Sequence, residues 1–181
     1  MTEQAKHDAL AQEATSKFGD RLTDVDRSFG ELVFVAGKDA VHDVLAWLHR
    51  DKGFDLLLDI AGIDCLTLRG HPEDGPRFEI EYIVYAVAND HRVRVRTTVP
   101  EDDMDVPTAT DLWQSANWAE REAFEMYGFN FVGHTCLKRL LTHHEFVGHP
   151  LRKDYEIMRG QWCSSTSDLT DELNEPGGGA M

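Results

Sequence analysis

The chain has 181 residues, enough for one domain with a core plus tails, and its 41% hydrophobic and 28% charged composition is that of an ordinary globular protein. A net charge of −15 argues against nucleic acid or an anionic membrane surface as a direct partner, because both are polyanions. Cys65, Cys136 and Cys163 are widely spaced with no CxxC, no run approaches the roughly 18 apolar residues a membrane helix needs, and MTEQAKHDALAQEA has no signal-peptide core, so the expectation is a reducing compartment and no direct membrane insertion.

Leu10, Ala11, Ala14 and Phe18 recur at helical spacing and predict an amphipathic helix over Glu3 to Phe18, ended by Gly19-Asp20. After a turn near Ser28-Phe29-Gly30, the apolar run Leu32 to Ala36 reads as a strand. A helix over Ala40 to His49 follows, with Asp39 as its expected N-cap and Val41, Val44, Leu45 and Leu48 as its buried stripe. Phe54 to Ile60 alternates as a strand with Phe54, Leu56, Leu58 and Ile60 on one face. RGHPEDGPR, from Arg69 to Arg77, reads as a mobile loop. Phe78 to Val87 and Arg92 to Val99 alternate again and form a hairpin about Asn89-Asp90. Pairing Ala88 with His91 sets Ala86 against Val93, Val84 against Val95 and Glu81 diagonal to Arg96.

PEDDMDVPT, residues 100 to 108, is an acidic connection. Thr108 or Thr110 then caps a helix running to about Met126, with Leu112, Ala116, Ala119, Ala123 and Tyr127 along one face. The expected fold is α+β, a two-layer sandwich of helices packed on a mixed, largely antiparallel sheet. Three regions are expected: an N-terminal helix and linker over 1–22, the α+β domain over 23–157, and a polar tail over 158–181 that reads as disordered.

Most of the chemistry is concentrated between Asn117 and Asp154. Glu120-Arg121-Glu122 places three charges about 100° apart on a helix, so they cannot meet one target. Either they form a solvated face with an Arg121–Glu125 pair, or they tie the helix to the basic stretch 138–153, where Lys138, Arg139, Arg152 and Lys153 face only Glu145. Gly133-His134 and Gly148-His149 read as turns with positive φ whose imidazoles bridge loops. A zinc site from His134, His143, His144 and His149 is the weaker reading, since no HxH, HExxH or helical i,i+4 pair is present. GxSxG, GxGxxG and Walker A patterns are absent, so neither a nucleophile elbow nor a nucleotide cradle is visible. Pro150-Leu151-Arg152-Lys153-Asp154 is a stiff segment ending in charge. With Tyr127, Phe129, Phe131, Phe146 and Tyr155 interleaved, the block reads as a protein-facing surface.

The run Ala119 to Asp154 resembles the family of the C subunit of bacterial NADH:quinone oxidoreductase, respiratory complex I. The matching elements are Glu120-Arg121-Glu122, Glu125, Met126-Tyr127-Gly128, Phe131-Val132-Gly133-His134, Lys138-Arg139-Leu140-Leu141 and Gly148 through Asp154. Departures are Glu125 where the family usually has Asp, Thr135 where it often has Pro, and Tyr155-Glu156 where it has Phe-Pro. The resemblance implies a non-catalytic member of the peripheral arm that itself holds no cofactor or metal; FMN, iron–sulfur clusters and quinone belong to partner subunits. It implies packing against the D, B and I subunits, which supply the quinone site, the terminal cluster and a ferredoxin-like domain respectively. The place it implies is the cytoplasmic side of a bacterial inner membrane. The interface set it implies is Glu120, Arg121, Glu122, Glu125, Gly133, His134, Arg139, Gly148, His149, Pro150, Arg152, Lys153 and Asp154. Two other readings stay open: the equivalent component of a membrane-bound [NiFe]-hydrogenase or F420-type dehydrogenase complex, and a stand-alone zinc hydrolase using the four histidines.

Overall fold

A computed structural model describes residues 3–27, 30–68, 75–157 and 161. Helix α1 spans Glu3–Phe18, β1 Leu22–Asp26, β2 Leu32–Ala36, α2 Val41–Lys52, β3 Leu56–Asp64, β4 Phe78–Ala86 and β5 His91–Val99. Strand β6 (Asp105–Pro107), helix α3 (Ala116–Tyr127) and strand β7 (Asn130–Val132) complete the order. The main sheet runs β1-β2-β5-β4-β3; β2 pairs with β5 in parallel and every other neighbour is antiparallel. Strands β6 and β7 form a separate parallel pair. One apolar cluster joins Leu10 and Phe18 of α1, Leu45 and Leu48 of α2, Ala116 and Ala123 of α3, and the inner faces of β2 to β5. The fold is therefore the expected α+β sandwich on a mixed, largely antiparallel sheet. The expected tail over 158–181, except residue 161, and most of the 69–77 loop lie outside the described residues.

Several local expectations are corrected. The β4–β5 hairpin closes two residues earlier than expected, with Ala86 opposite His91, Val84 opposite Val93 and Glu81 directly opposite Arg96. Val87–Asn89 form a 3-10 turn and Asp90 takes φ +46°, so the connection uses more chain than a two-residue turn. A shift of two keeps every side chain on its face, which is why the apolar pattern could not reveal it. Strand β3 carries a bulge between Leu57 and Asp59. The extra residue puts Leu57 and Ile60 in the core and leaves Leu56 and Leu58 exposed, against the simple alternation expected.

Helix α2 starts at Val41 without an Asp39 cap; the Gly37 carbonyl takes the Ala40 and Val41 N–H groups in a tight entry turn. It closes at Gly53, where the Phe54 N–H returns to the Leu48 carbonyl. Helix α3 begins at Ala116 rather than at Thr108 or Thr110, because the Thr108 hydroxyl is shared between Thr110 and Glu120 instead of capping the helix. Against β3 it approaches so closely that a Cβ on Gly62 would lie 2.5 Å from the Tyr127 ring.

Candidate functional site

Helix α3 reaches out at each turn to hold a different stretch of chain. Glu120 is buried and accepts hydrogen bonds from the Thr108 hydroxyl and the Ala109 N–H, both at 2.6 Å. Burial pushes its carboxyl up to about 7, although those two donors oppose the rise. One residue on, Arg121 donates through Nε and Nη2 to the Lys138 and Arg139 carbonyls, each at 3.0 Å, and lies over the Trp118 ring. Glu122, a further 100° round, is exposed.

Glu125 lies one turn below Arg121, yet both are occupied by the following segment. Its carboxylate accepts the N–H groups of Leu140 (2.6 Å), Leu141 (2.8 Å) and Thr142 (2.6 Å), together with the Thr142 hydroxyl. Arg139 stands 3.9 Å away. Burial raises the carboxyl, but the Thr142 hydroxyl and the three N–H groups outweigh it and hold Glu125 down at about 2. Glu120 is thus met by the Thr108 hydroxyl and the Ala109 N–H, and Glu125 mostly by the backbone of residues 140–142, with the Arg139–Glu125 ion pair a longer addition.

The GHPLRKD run closes the other end. Four carbonyls at the C-terminus of an α-helix lack helical partners. Here Phe124 is taken by the Gly128 N–H at 2.8 Å, Glu125 by His149 Nδ1 at 2.9 Å, Met126 by the Leu151 N–H at 3.2 Å and Tyr127 by Arg152 Nε at 2.7 Å. The Arg152 charge also complements the negative end of the helix dipole. Gly128 makes this possible: φ is +90°, and a Cβ there would lie 2.8 Å from both Arg152 Nη2 and His149 Nε2. The His149 carbonyl accepts the Arg152 N–H, which bends Pro150-Leu151 into a tight turn.

Lys153 and Asp154 carry the clasp across to the sheet. The Lys153 N–H donates to Asp64 Oδ2 at 2.8 Å, and Asp154 accepts from Arg77 Nη2 at 2.7 Å. Arg77 also grips Asp64 through Nε (3.2 Å) and Nη2 (3.0 Å), reaches Glu101 at 2.7 Å, and stacks on Phe78. Arg152 shares both Glu101, at 3.6 Å, and the Phe78 ring. Burial works against charge on Asp64, but Arg77 and the Lys153 and Leu66 N–H groups hold its carboxyl below the usual range. Asp64, Arg77 and Glu101 do not stand out in the sequence. Arg77 merely ends a Gly/Pro-rich loop, and nothing local marks Asp64 as the buried anchor of a segment 89 residues away.

Gly133 and Gly148 both take φ +93°, the left-handed conformation expected of these turns. His134 Nδ1 accepts the Cys136 N–H at 3.0 Å, so Nε2 carries the proton facing the Asn117 carbonyl at 3.3 Å. His143 lies edge-on to Phe146. Among the described residues no group of three or more His, Cys, Asp or Glu suited to a metal ion occurs. No described helix is long and apolar enough to cross a membrane.

Such a molecule is a structural module: an α+β sandwich whose C-terminal segment is clasped onto one helix by buried carboxylates, caps and an ion-pair network. The model of the respiratory-chain NADH dehydrogenase 30 Kd subunit family matches residues 34–161. Over 151 residues the chain is 42% identical to the NADH-quinone oxidoreductase C subunit of Laribacter hongkongensis, covering 83% of this chain and 77% of that one. It is 40% identical over 156 residues to its counterpart from Burkholderia thailandensis, covering 84% and 78%. Among solved structures it is similar to the trypsin-resistant fragment (1–134) of Nqo5, with a TM-score of 0.63 and 32% identity over 72% of this chain and 98% of that one. A chain of the archaeal membrane-bound sulfane sulfur reductase shares the fold at a TM-score of 0.64 and 18% identity, over 97% and 96%. The chain belongs to the family of the NADH-quinone oxidoreductase C subunit, the 30 Kd subunit family of the respiratory chain.

Proposed function

We propose that this chain is a cofactor-free structural component of the peripheral arm of an NADH:quinone oxidoreductase. In this reading it docks the quinone-site (D) and terminal-cluster (B) subunits, helps hold the ferredoxin-like (I) one, and sits on the cytoplasmic side of the inner membrane through them. The observation that supports it, beside family membership, is how the signature block divides its residues. Glu120, Arg121, Glu125, His149 and Arg152 spend their polar groups inside the chain and make the segment rigid. The same block leaves large apolar residues exposed: Trp118 is 61% exposed, Leu141 61% and Val147 74%, and Val132 and Leu151 are exposed as well. Glu122, Lys153 and Asp154 are exposed among them. Apolar side chains on a rigid, polar-rimmed segment are what an interface core requires. Rigidity also fits the role, since clusters and quinone carried by partners must be held at fixed separation for electron transfer.

The test is affinity purification of the tagged chain from its native membranes in mild detergent, with mass spectrometry of the co-purifying proteins. A flavin- and cluster-bearing NADH dehydrogenase assembly is expected, and the Leu141→Glu/Val147→Glu variant should lose it while keeping the wild-type circular dichroism. Hydrogenase subunits in its place would move the reading to that complex. Unchanged assembly with the double variant would remove the clasp from the interface.

A further inference from the structure

Helix α1 is held to the rest of the molecule by five buried residues, His7, Leu10, Ala11, Ala14 and Phe18. Its polar ties are surface pairs, Lys17–Asp51, Lys52–Glu13 and Arg27–Asp8, with Lys6 on the Asn89 carbonyl. Exposed pairs of this kind contribute little. Helix α1 precedes the sheet in the chain and meets the core through its apolar face. Its attachment therefore depends on those five side chains, one of which is an imidazole.

That one is His7. Its ring stacks on His91, the first residue of β5, with centroids 4.9 Å apart and planes at 23°. The Phe54 ring lies 5.5 Å from His91 on a tilt. His7 and His91 are 3% and 6% exposed, and Nε2 of each is buried without a hydrogen-bond partner. A neutral imidazole can occupy such a site as a flat, largely apolar ring. An imidazolium would be a buried cation with no acceptor at Nε2, stacked on a second imidazole.

The charged groups around the pair do not rescue it. Helix α1 contributes Glu3 and Lys6, and the turn into β5 contributes Asp90, already engaged by the Tyr85 hydroxyl at 2.7 Å. An adjoining cleft of about 380 Å³, lined by Glu3, Asp90, Glu31 and Arg92 among others, reaches His7. Glu31 is spent on Arg92 and Arg94. Burial first, then His7 and Lys6, push the His91 imidazole down, and only Glu3 opposes them.

We propose that the His7–His91 stack is an acid-sensitive latch: neutral rings hold helix α1 on the core, and their protonation releases α1 while the sheet, α2 and the α3 clasp stay folded. The step is proton uptake from solvent at the ring nitrogens, with no other bond made or broken. Its direction follows from linkage. With α1 released, the uncovered His91 ring binds a proton below about pH 6.5 that burial in the docked stack opposes, so docking is complete above that pH and weakens as pH falls through it. One coupled proton, that of His91, raises the released population up to about tenfold per pH unit. Release uncovers Trp47, which packs edge-on against Phe18 at 5.6 Å.

Hydrogen exchange of the full chain, read by mass spectrometry at pH 7.5, 6.5 and 5.5 and corrected for the intrinsic pH dependence of exchange, tests this. Peptides from α1 should lose protection progressively, by up to about tenfold per unit below pH 6.5, while those from α3 keep theirs. His7→Phe and His91→Gln should each reduce that dependence; Glu3→Gln, which removes the one opposing charge, should deepen it. Should a variant fail to fold, ring-proton NMR of wild-type His91 supplies the second reading: it must titrate in step with α1 release. Protection of α1 that is flat from pH 7.5 to 5.5, dependence unchanged in both histidine variants, or simultaneous loss in α1 and α3 would each overturn the latch.

Discussion

Replacing Glu125 with glutamine removes the charge that holds residues 140–142 to helix α3. The Glu125 side chain is essentially inaccessible to solvent, so its interactions are little screened. The folded carboxyl sits at about 2 against an ordinary 4.5. A gap of about 2.5 pH units at 1.36 kcal/mol per unit is worth about 3 kcal/mol of stability at neutral pH. The sign follows from the lowered value: the contribution is complete above pH 4.5 and disappears as pH falls toward 2. Glutamine keeps one acceptor oxygen but turns an NH2 group toward donors that already need acceptors, at the Leu140, Leu141 and Thr142 N–H groups. Urea unfolding at pH 7 should therefore show the variant about 3 kcal/mol less stable, and the deficit should fall below half that value at pH 3. Hydrogen exchange at residues 140–142 should rise before exchange in β4 and β5. A deficit under about 1 kcal/mol at pH 7, or one that stays constant between pH 7 and pH 3, would refute the assignment of Glu125 as the ionised anchor.

Glu120 behaves in the opposite sense: its carboxyl is raised to about 7, so the folded state retains a proton between pH 4.5 and 7 and loses stability as pH rises through that window. Urea unfolding of Glu120→Gln should show a flatter profile, with its stability relative to wild type improving by about 3 kcal/mol between pH 4 and pH 8. Gly128→Ala combines a left-handed backbone with Cβ collisions on the Arg152 and His149 caps, whereas at Gly53, φ +74°, a Cβ would meet nothing within 4 Å. Thermal unfolding should thus show a loss of about 1–2 kcal/mol for Gly53→Ala and a clearly larger one for Gly128→Ala; equal losses would mean that the caps move aside freely.

Helix α1, the inner faces of β4 and β5, and the position of the signature block are legible in the sequence because each rests on local periodicity or on a contiguous motif. Four apolar residues at helical spacing suffice to mark the span Glu3 to Phe18. Strand β1 is not legible: Leu22 to Asp26 carries two apolar residues among three polar ones and sits at a sheet edge. Strands β6 and β7 are three residues each, too short for any period to show. The bulge in β3 and the two-residue slip of the hairpin leave no mark in composition, since both arise from how neighbouring backbones pair.

The charges of the signature block make the same point at the level of single residues. Glu120, Arg121 and Glu122 have to point in three directions, because a helix turns 100° per residue. Which direction meets the protein interior is not contained in that rule. It depends on residues 108–109 folding back on one side and 138–142 on another, so that Glu120 is buried, Arg121 holds carbonyls and Glu122 meets solvent. Likewise, GHPLRKD marks the family from its order alone, but its physical task emerges only where the four terminal carbonyls of α3 face it and Asp64 and Arg77 stand behind. Order along the chain is enough to set the periodic elements, the layer architecture and the lineage, because all three rest on short-range pattern. Register, burial of charge and the partners of each polar group were settled in the folded molecule, because those energies belong to groups tens of residues apart that meet only when the chain has collapsed onto itself.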